Sequence, residues 1–337
     1  MAELADALDS GTVELSYRVP LGAGDNRLEA YAFNSANIRS LTAHGLAHGP
    51  ATASRRTAWL LAIGVNQYAD SSRDLEYARA DAEEFLHQVH AHLKGLDQFD
   101  GIEEKLLPDN DATHNNIQAA LADIARKAGP DDAVLIFYAG HGMARNGKFY
   151  LLPHDADFSA PGQAPYGKAP PPRALSDDDL SNLLEPVNAG HIVLILDTCQ
   201  SATTLENAEW RRGPLNSRGL AQLAYEKGIY LLAAAQNDGV AKERREFGHG
   251  LLTYALMNEA LNPDFSDVAP HDGVVTVNEW LNYAGHRVPE LDAENQLPSR
   301  GVKSPRPRPQ PVQQPRVYYR REWQTPALIV AGHAGQQ

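Results

Sequence analysis

The sequence predicts an α/β protein built on a mostly parallel sheet with helices on both faces, and three observations carry that prediction. Short, continuous apolar runs recur along the chain: WLLAIGV (59–65), AVLIFYA (133–139), HIVLILD (191–197) and GIYLLAAA (228–235). Amphipathic helical patterns separate them. Strands that are apolar throughout suit a sheet buried on both faces, the condition that crossover helices create. A length of 337 residues, finally, is ample for one large core.

Taken in order, TVELSYRVPL (12–21) and NRLEAYAFN (26–34) alternate apolar and polar residues around the turn GAGD. This predicts an N-terminal β-hairpin within residues 1–42. AHGLAHGPATASRR is small, Gly-rich and aperiodic, so 43–56 reads as a linker into a main domain over 57–297. There, DLEYARADAEEFLHQVHAHL (74–93) places Leu75, Ala78, Ala82, Phe85, Leu86, Val89 and Leu93 at helical spacing. A second helix follows Thr113 as its N-cap and runs through Ile117, Leu121 and Ile124. A short strand pair around FYLLP (149–153) and a Pro-rich loop precede a capped helix beginning SDDDLSNLL (176–184). Further helices are expected around 250–261 and 276–288. The Pro-rich stretch 298–316 reads as an exposed extended loop, and 317–337, with the apolar run ALIVAG, completes the domain.

Composition narrows the function. Thirty basic against 43 acidic side chains give a net charge of −13, which argues against a nucleic-acid partner. No apolar run approaches a membrane span, and MAELADALDSG lacks the apolar core of a secretory signal. The expectation is a soluble, cytoplasmic protein with no membrane partner. The single cysteine cannot form an internal disulfide, which suits a reducing compartment and leaves a thiol for chemistry.

That cysteine is the chemical lead. In open parallel sheets the carboxyl ends of the strands converge on a crevice. AVLIFYAGHG puts His141 at one such end between Gly140 and Gly142, and LILDTCQS puts Cys199 at another. A thiol needs a base to become a nucleophile, and a histidine on a neighbouring strand end would supply it. Either residue alone is more often an ordinary buried one; the pair at two strand ends is the signal.

With these residues in view, the chain resembles the caspase-like cysteine peptidases, and the metacaspase-like and bacterial members more than the animal caspases. The matching elements are WLLAIGVNQY, LEYARADAEEF, LIFYAGHG, YLLPHDAD, LSDDDL, IVLILDTCQS, YLLAAAQNDGVAKE and GHGLLTYALMNEAL, over roughly residues 57–290. The resemblance implies a caspase-like three-layer sandwich, with a large-subunit half to about residue 202, a linker over 203–227 and a small-subunit half from 228. It implies Cys199 as nucleophile, His141 as base and acid, and the backbone amides of Gly142 and Cys199 as oxyanion hole. It further implies an S1 pocket made by Asp197 and Asp81, hence protein or peptide substrates cut after Arg, with Lys second. Two carboxylates would hold a guanidinium through charge-assisted hydrogen bonds. The animal QAC motif is absent, and Ala202 stands where metacaspase-like sequences usually have glycine.

The same specificity suggests regulation by cutting. LENAEWRRGPLNSRGLAQ (205–222) lies in the linker, and its Arg211, Arg212 and Arg218 are candidate processing sites, with Arg173 a further one. The expectation is a zymogen of bacterial signalling or defence, released by an activating protease, by itself, or by a regulatory partner. No cofactor is required by this reading. Calcium activates some metacaspases, and the nearest matches to their acidic clusters are Asp155, Asp177, Asp178 and Glu206. Against calcium, Ser176 and Asp179 spell a capping box, and acids in a first helical turn suit the helix dipole. HQVHAH (87–92) reads as the polar side of a helix rather than a zinc site. The N-terminal hairpin resembles the closing strands of an immunoglobulin-like domain found before caspase domains in some bacterial proteins. Two other readings compete: a catalytically silent caspase-like scaffold, against which the presence of both His141 and Cys199 argues, and a nucleotide-binding α/β protein. For the latter, IGVNQYADS stands where GxGxxG or GxxxxGK[ST] should follow the first strand.

Overall fold

The structure, a computed structural model, describes residues 14–32, 34, 35, 38, 40–52, 55–96, 98–145, 148–158, 170–199, 224, 225, 227–234, 243–268, 271–294, 312–319 and 329–332. The chain divides into two compact units, Met1–Ser54 and Arg55–Gln337.

In the smaller unit, β1 (Asp25–Ala30) pairs antiparallel with β2 (Ala43–His48), Asp25 standing opposite His48 and Ala30 opposite Ala43. The hairpin therefore forms, but its second strand is AHGLAH, which the sequence reading assigned to the linker, while residues 14–20 are not in a strand. The turn explains the exchange. Gly24 donates to the Pro50 carbonyl (3.0 Å) and accepts from the Gly49 amide (2.7 Å). Asn26 ties back to Gly22 through both its amide nitrogen and its oxygen. These bonds occupy the backbone that a hairpin over 12–34 would have used. Alternation marks a chain as extended; it does not choose the partner.

In the larger unit the strands are β3 (Thr57–Gly64), β4 (Gly101–Pro108), β5 (Ala133–Arg145), β6 (Lys148–Leu151), β7 (Leu175–Ser176), β8 (His191–Cys199), β9 (Tyr230–Ala233), β10 (Glu243–Arg244), β11 (His249–Gly250), β12 (Val274–Thr276), β13 (Arg316–Tyr318) and β14 (Ile329–Gly332). The helices are α1 (Ala78–Gly95), α2 (His114–Lys127), α3 (Asp177–Leu184), α4 (Leu251–Tyr254, continued by a π-helical turn over Ala255–Glu259), α5 (Pro263–Ser266) and α6 (Val277–Glu294). The main sheet runs β4-β3-β5-β8-β9-β13, its first five strands parallel and β13 antiparallel on the edge. β6 folds back antiparallel on the end of β5, and β7 pairs with β6.

Successive residues of each central strand enter opposite cores, which is why those strands read as unbroken apolar runs. Leu60, Ala62, Leu135, Phe137 and Ile195 pack with α1, α4 and α6, whereas Leu61, Ile63, Ile136, Leu194 and Leu196 pack with α2 and α3. The helical spacing predicted for 74–93 is realised in α1, with Ala78, Ala82, Phe85, Val89 and Leu93 buried. Strand β4 escaped the sequence reading because its middle, Glu103, Glu104 and Lys105, is exposed. Charges on an edge strand discourage further pairing and erase the apolar signature. Helix α6 continues past the expected end at residue 288, through Pro289, because Leu291 and Asp292 of its last turns are buried.

At the opposite end of the β5–β8 pairing from His141, Asp132 ties the entry of the sheet together. Its carboxylate accepts from the Thr57 amide (2.7 Å), the Gly129 amide (2.9 Å) and the Trp59 indole (3.0 Å). Its carbonyl accepts from the Gly190 amide (2.9 Å). Asp132→Ala leaves three donors without that acceptor, and a loss of roughly 3 kcal/mol or more is expected from a buried unsatisfied donor cost of about 1–3 kcal/mol each. Urea unfolding of the purified variant measures it; an unchanged midpoint would contradict this role.

Candidate active site

The site forms where the pairing of β5 with β8 ends, β5 itself running on to Arg145 against β6. Nine successive residues of the two strands are in parallel register, from Ala133 opposite His191 to His141 opposite Cys199. The backbone thus sets the two residues singled out in the sequence side by side, with Gly142 one position further along β5.

Both glycines beside His141 have steric reasons. A Cβ at Gly142 would come within 2.9 Å of Phe149 and of Thr198, and one at Gly140, where φ is +157°, within 2.9 Å of the hydroxyls of Tyr68 and Tyr138. The backbone of His141 is held on both sides: its amide donates to the Tyr68 hydroxyl (2.7 Å), and its carbonyl accepts from the Tyr138 hydroxyl (3.1 Å) and the Leu152 amide (3.0 Å). The Tyr68 ring lies against the imidazole, 4.8 Å between centroids.

The imidazole itself is oriented through Nε2, which sits 2.7 Å from the carbonyl oxygen of Arg73. A carbonyl only accepts, so Nε2 carries the proton and Nδ1 is the basic nitrogen of the neutral ring. Arg73 ends a tight turn over Ser71–Arg73 that Asp70 caps, accepting from the Ser72 amide (3.2 Å), the Ser72 hydroxyl (2.7 Å) and Arg73 Nε (3.2 Å). Chiefly through the Ser72 hydroxyl, the Asp70 carboxyl titrates below its usual value. The Arg73 guanidinium stacks over Phe158 at 3.8 Å. Further back, Asp109 accepts from the amides of Asn66 (2.9 Å) and Gln67 (3.0 Å), and Asp74 from that of Tyr68 (2.9 Å). The loop 65–77 is therefore a rigid arm that reaches His141 twice, through Tyr68 and through Arg73.

Beside this pair two carboxylates converge. Asp197, two residues before Cys199, and Asp81, in the first turn of α1, are 4% and 2% exposed. They meet at Gly250: a Cβ there would lie 3.0 Å from Asp197 Oδ2 and 3.1 Å from Asp81 Oδ2. The Gly250 amide donates to both oxygens of Asp81 at 3.2 Å, His249 Nδ1 lies 2.8 Å from Asp81 Oδ1, and the Thr253 hydroxyl donates to Asp197 Oδ2 at 2.9 Å. The segment GHGLLTY, which matched the family without yielding a residue role, supplies all three partners. The signal that could have found them was the glycine after His249, needed for two carboxylates to approach one backbone.

The remaining candidates are dispersed. Asp177 begins α3 and is buried, and Asp178 pairs with Lys148. Asp155 accepts from the His114 amide at 2.8 Å. The capping box of Ser176 and Asp179 is present. Among the described residues no group of three or more His, Cys, Asp or Glu side chains is placed to hold a metal ion. Arg173 lies in a turn with φ 65°, its Nε donating to the Asp155 carbonyl at 2.8 Å. Glu206, Arg211, Arg212 and Arg218 lie outside the described residues.

The caspase-domain family model, of peptidase family C14, matches residues 57–306. The chain belongs to the caspase-domain family. The match covers both strand ends, both carboxylates and the His249–Gly250 segment, so the paired His141 and Cys199 lie in a domain of cysteine-peptidase type. No curated protein matches the chain. Among solved structures, a crystal structure of a Geobacter sulfurreducens protein, a structural-genomics target, is similar at 15% identity and a TM-score of 0.46, over 78% of this chain and 93% of that one. Among the described residues no helix is long and apolar enough to cross a membrane.

Tyr68→Phe removes the acceptor of the His141 amide inside the caspase domain while keeping the ring. A destabilisation of about 1–3 kcal/mol is expected for a buried donor left without its partner. Urea unfolding tests this, and wild-type stability would show that Tyr68 contributes packing alone.

Proposed function

We propose that the protein is a cysteine endopeptidase that cuts protein chains after arginine, and less readily after lysine, using Cys199 and His141. The observation that carries this reading is the meeting of Asp81 and Asp197 at Gly250 beside the strand ends where His141 and Cys199 are in register.

In this reading the Cys199 thiol gives its proton to His141 Nδ1 as the sulfur attacks the scissile carbonyl. The resulting oxyanion accepts from the amides of Gly142 and Cys199, donors of a kind worth about 2.7–4 kcal/mol each in other enzymes. His141 then returns the proton to the leaving amine, the C–N bond breaks, and a thioester remains. Water, deprotonated by the same nitrogen, releases the acid and restores the thiol. The Arg73 carbonyl supports each proton transfer by keeping Nε2–H engaged, so that the ring turns no other face to the sulfur and the imidazolium is stabilised when it forms. The substrate guanidinium or ammonium enters beside Asp81 and Asp197. Arginine ranks first because its planar fork can meet two carboxylates at once, whereas lysine offers a point charge.

The linker arginines Arg211, Arg212 and Arg218 have the proposed specificity, so self-processing of a bacterial zymogen belongs to the same proposal. Mass spectrometry of wild-type and Cys199→Ala chains reads it directly, with cuts after those residues in the wild type alone as the expected result.

Matched fluorogenic peptides ending in Arg, Lys and Asp, with and without Ca²⁺, test the specificity. Arg cleavage is expected, with none in Cys199→Ala. Asp197→Ala should lose at least about 30-fold in kcat/KM for the Arg peptide, the factor equivalent to the ~2 kcal/mol lower bound for truncating a buried charge pair. Its Cys199 should still be alkylated by iodoacetamide. Full Arg turnover by Asp197→Ala, or preference for Asp, would overturn the assignment.

A further inference from the structure

The acid pair is not composed of carboxylates alone. His249 sits in the short ribbon β10–β11, and its Nδ1 is 2.8 Å from Asp81 Oδ1, with the histidine side chain 18% exposed and the aspartate side chain 4%. The next residue, Gly250, contacts both carboxylates. A titratable ring is thus built into the wall that would receive a cationic side chain.

Resting on the reading of Asp81 and Asp197 as the S1 site, we infer that His249 is its third ionisable member: its protonation state sets the charge of the pocket and thereby its affinity for a guanidinium. With His249 protonated, two carboxylates and one imidazolium leave a net charge of −1. With it neutral, Nδ1–H still bonds Asp81, but the pocket carries −2 and attracts a cation more strongly. By linkage, a bound guanidinium must in turn make His249 easier to deprotonate.

The surroundings favour the protonated imidazole. The hydrogen bond to Asp81 is the largest influence and raises its pKa from the usual histidine value, against the opposing effect of burial. From α1, Asp81 and Glu84 face it, both favouring the cation. From β8, Asp197 adds a third carboxylate close to the adjoining Gly250. From its own ribbon, Glu243 and Arg244 stand opposite Gly250 and His249 in register, and the turn between the strands carries Arg245, paired with Glu76 (3.0 Å), and Glu246. From α4, Tyr254 stacks on Phe247. Histidine is the side chain among these whose unperturbed titration falls in the neutral range.

The probe is agmatine, a guanidinium on an alkyl chain with no bond for the dyad to cut. Its dissociation constant for the wild-type chain is measured calorimetrically from pH 5.5 to 8.5, beside His249→Asn, which keeps a donor toward Asp81 but cannot ionise. The expected result is that wild-type affinity rises with pH by about fivefold or more, the lower end of ordinary coupling between sites, while His249→Asn is flat. As a second reading on the unaltered chain, the His249 ring resonance should titrate at lower pH when agmatine is bound. Agmatine binding with pH-independent affinity, an equal pH response in His249→Asn, or a His249 titration unmoved by agmatine would each overturn the role of His249 while leaving the S1 assignment intact. No binding at any pH would instead sink the S1 assignment and the inference with it.

Discussion

The parallel pairing of β5 with β8 is the constraint on which the rest depends. Nine consecutive residue pairs hold the register that ends with His141 opposite Cys199. Because side chains alternate between faces, a slip of one residue would send every inward side chain of β8 to the other core and carry Cys199 past His141. Burial of both faces forbids the slip: Ile195 belongs to the core under α1 and α6, and Leu194 and Leu196 to the core under α2 and α3. The site is accurate, in other words, because the sheet beneath it has two cores that must both be filled.

The register alone places residues without orienting them, and orientation comes from the loop 65–77. His141 is gripped through its amide by Tyr68 and through Nε2 by the Arg73 carbonyl. Asp70, Asp74 and Asp109 stiffen that loop by accepting backbone amides or capping its turn. Gly140 and Gly142 then have a structural duty: they leave room for tyrosine hydroxyls on one side and for Phe149 and Thr198 on the other. The space beside each is taken by the protein's own side chains, which hold the histidine.

The acid pair illustrates a different balance. Two carboxylates removed from water repel one another and lose solvation, and they persist because donors surround them. Asp81 receives the Gly250 amide and the His249 ring, and Asp197 the Thr253 hydroxyl. The pair and its donors thus come from no one element: α1, β8 and the β11–α4 junction each contribute a part.

What the sequence by itself determined was local or carried by short motifs. The central strands, α1 and α2, the capping box at Ser176, and the placement of His141 and Cys199 at strand ends followed from periodicity, propensity and the convergence of parallel strands. The expectation that Asp81 and Asp197 form an S1 pocket came through family resemblance. Tertiary structure decided the pairings. AHGLAH displaced TVELSYRVPL in the N-terminal hairpin because backbone bonds at Gly24 and Gly49 closed a different turn. β4 was recruited to the sheet edge despite its charges, and α6 ran through Pro289 because buried residues lay beyond it. His249 met Asp81 across 168 residues of chain. Propensity and periodicity act over a turn or a strand, whereas such contacts arise only when cores on both sides of the sheet are filled at once, and that is a condition on the whole chain.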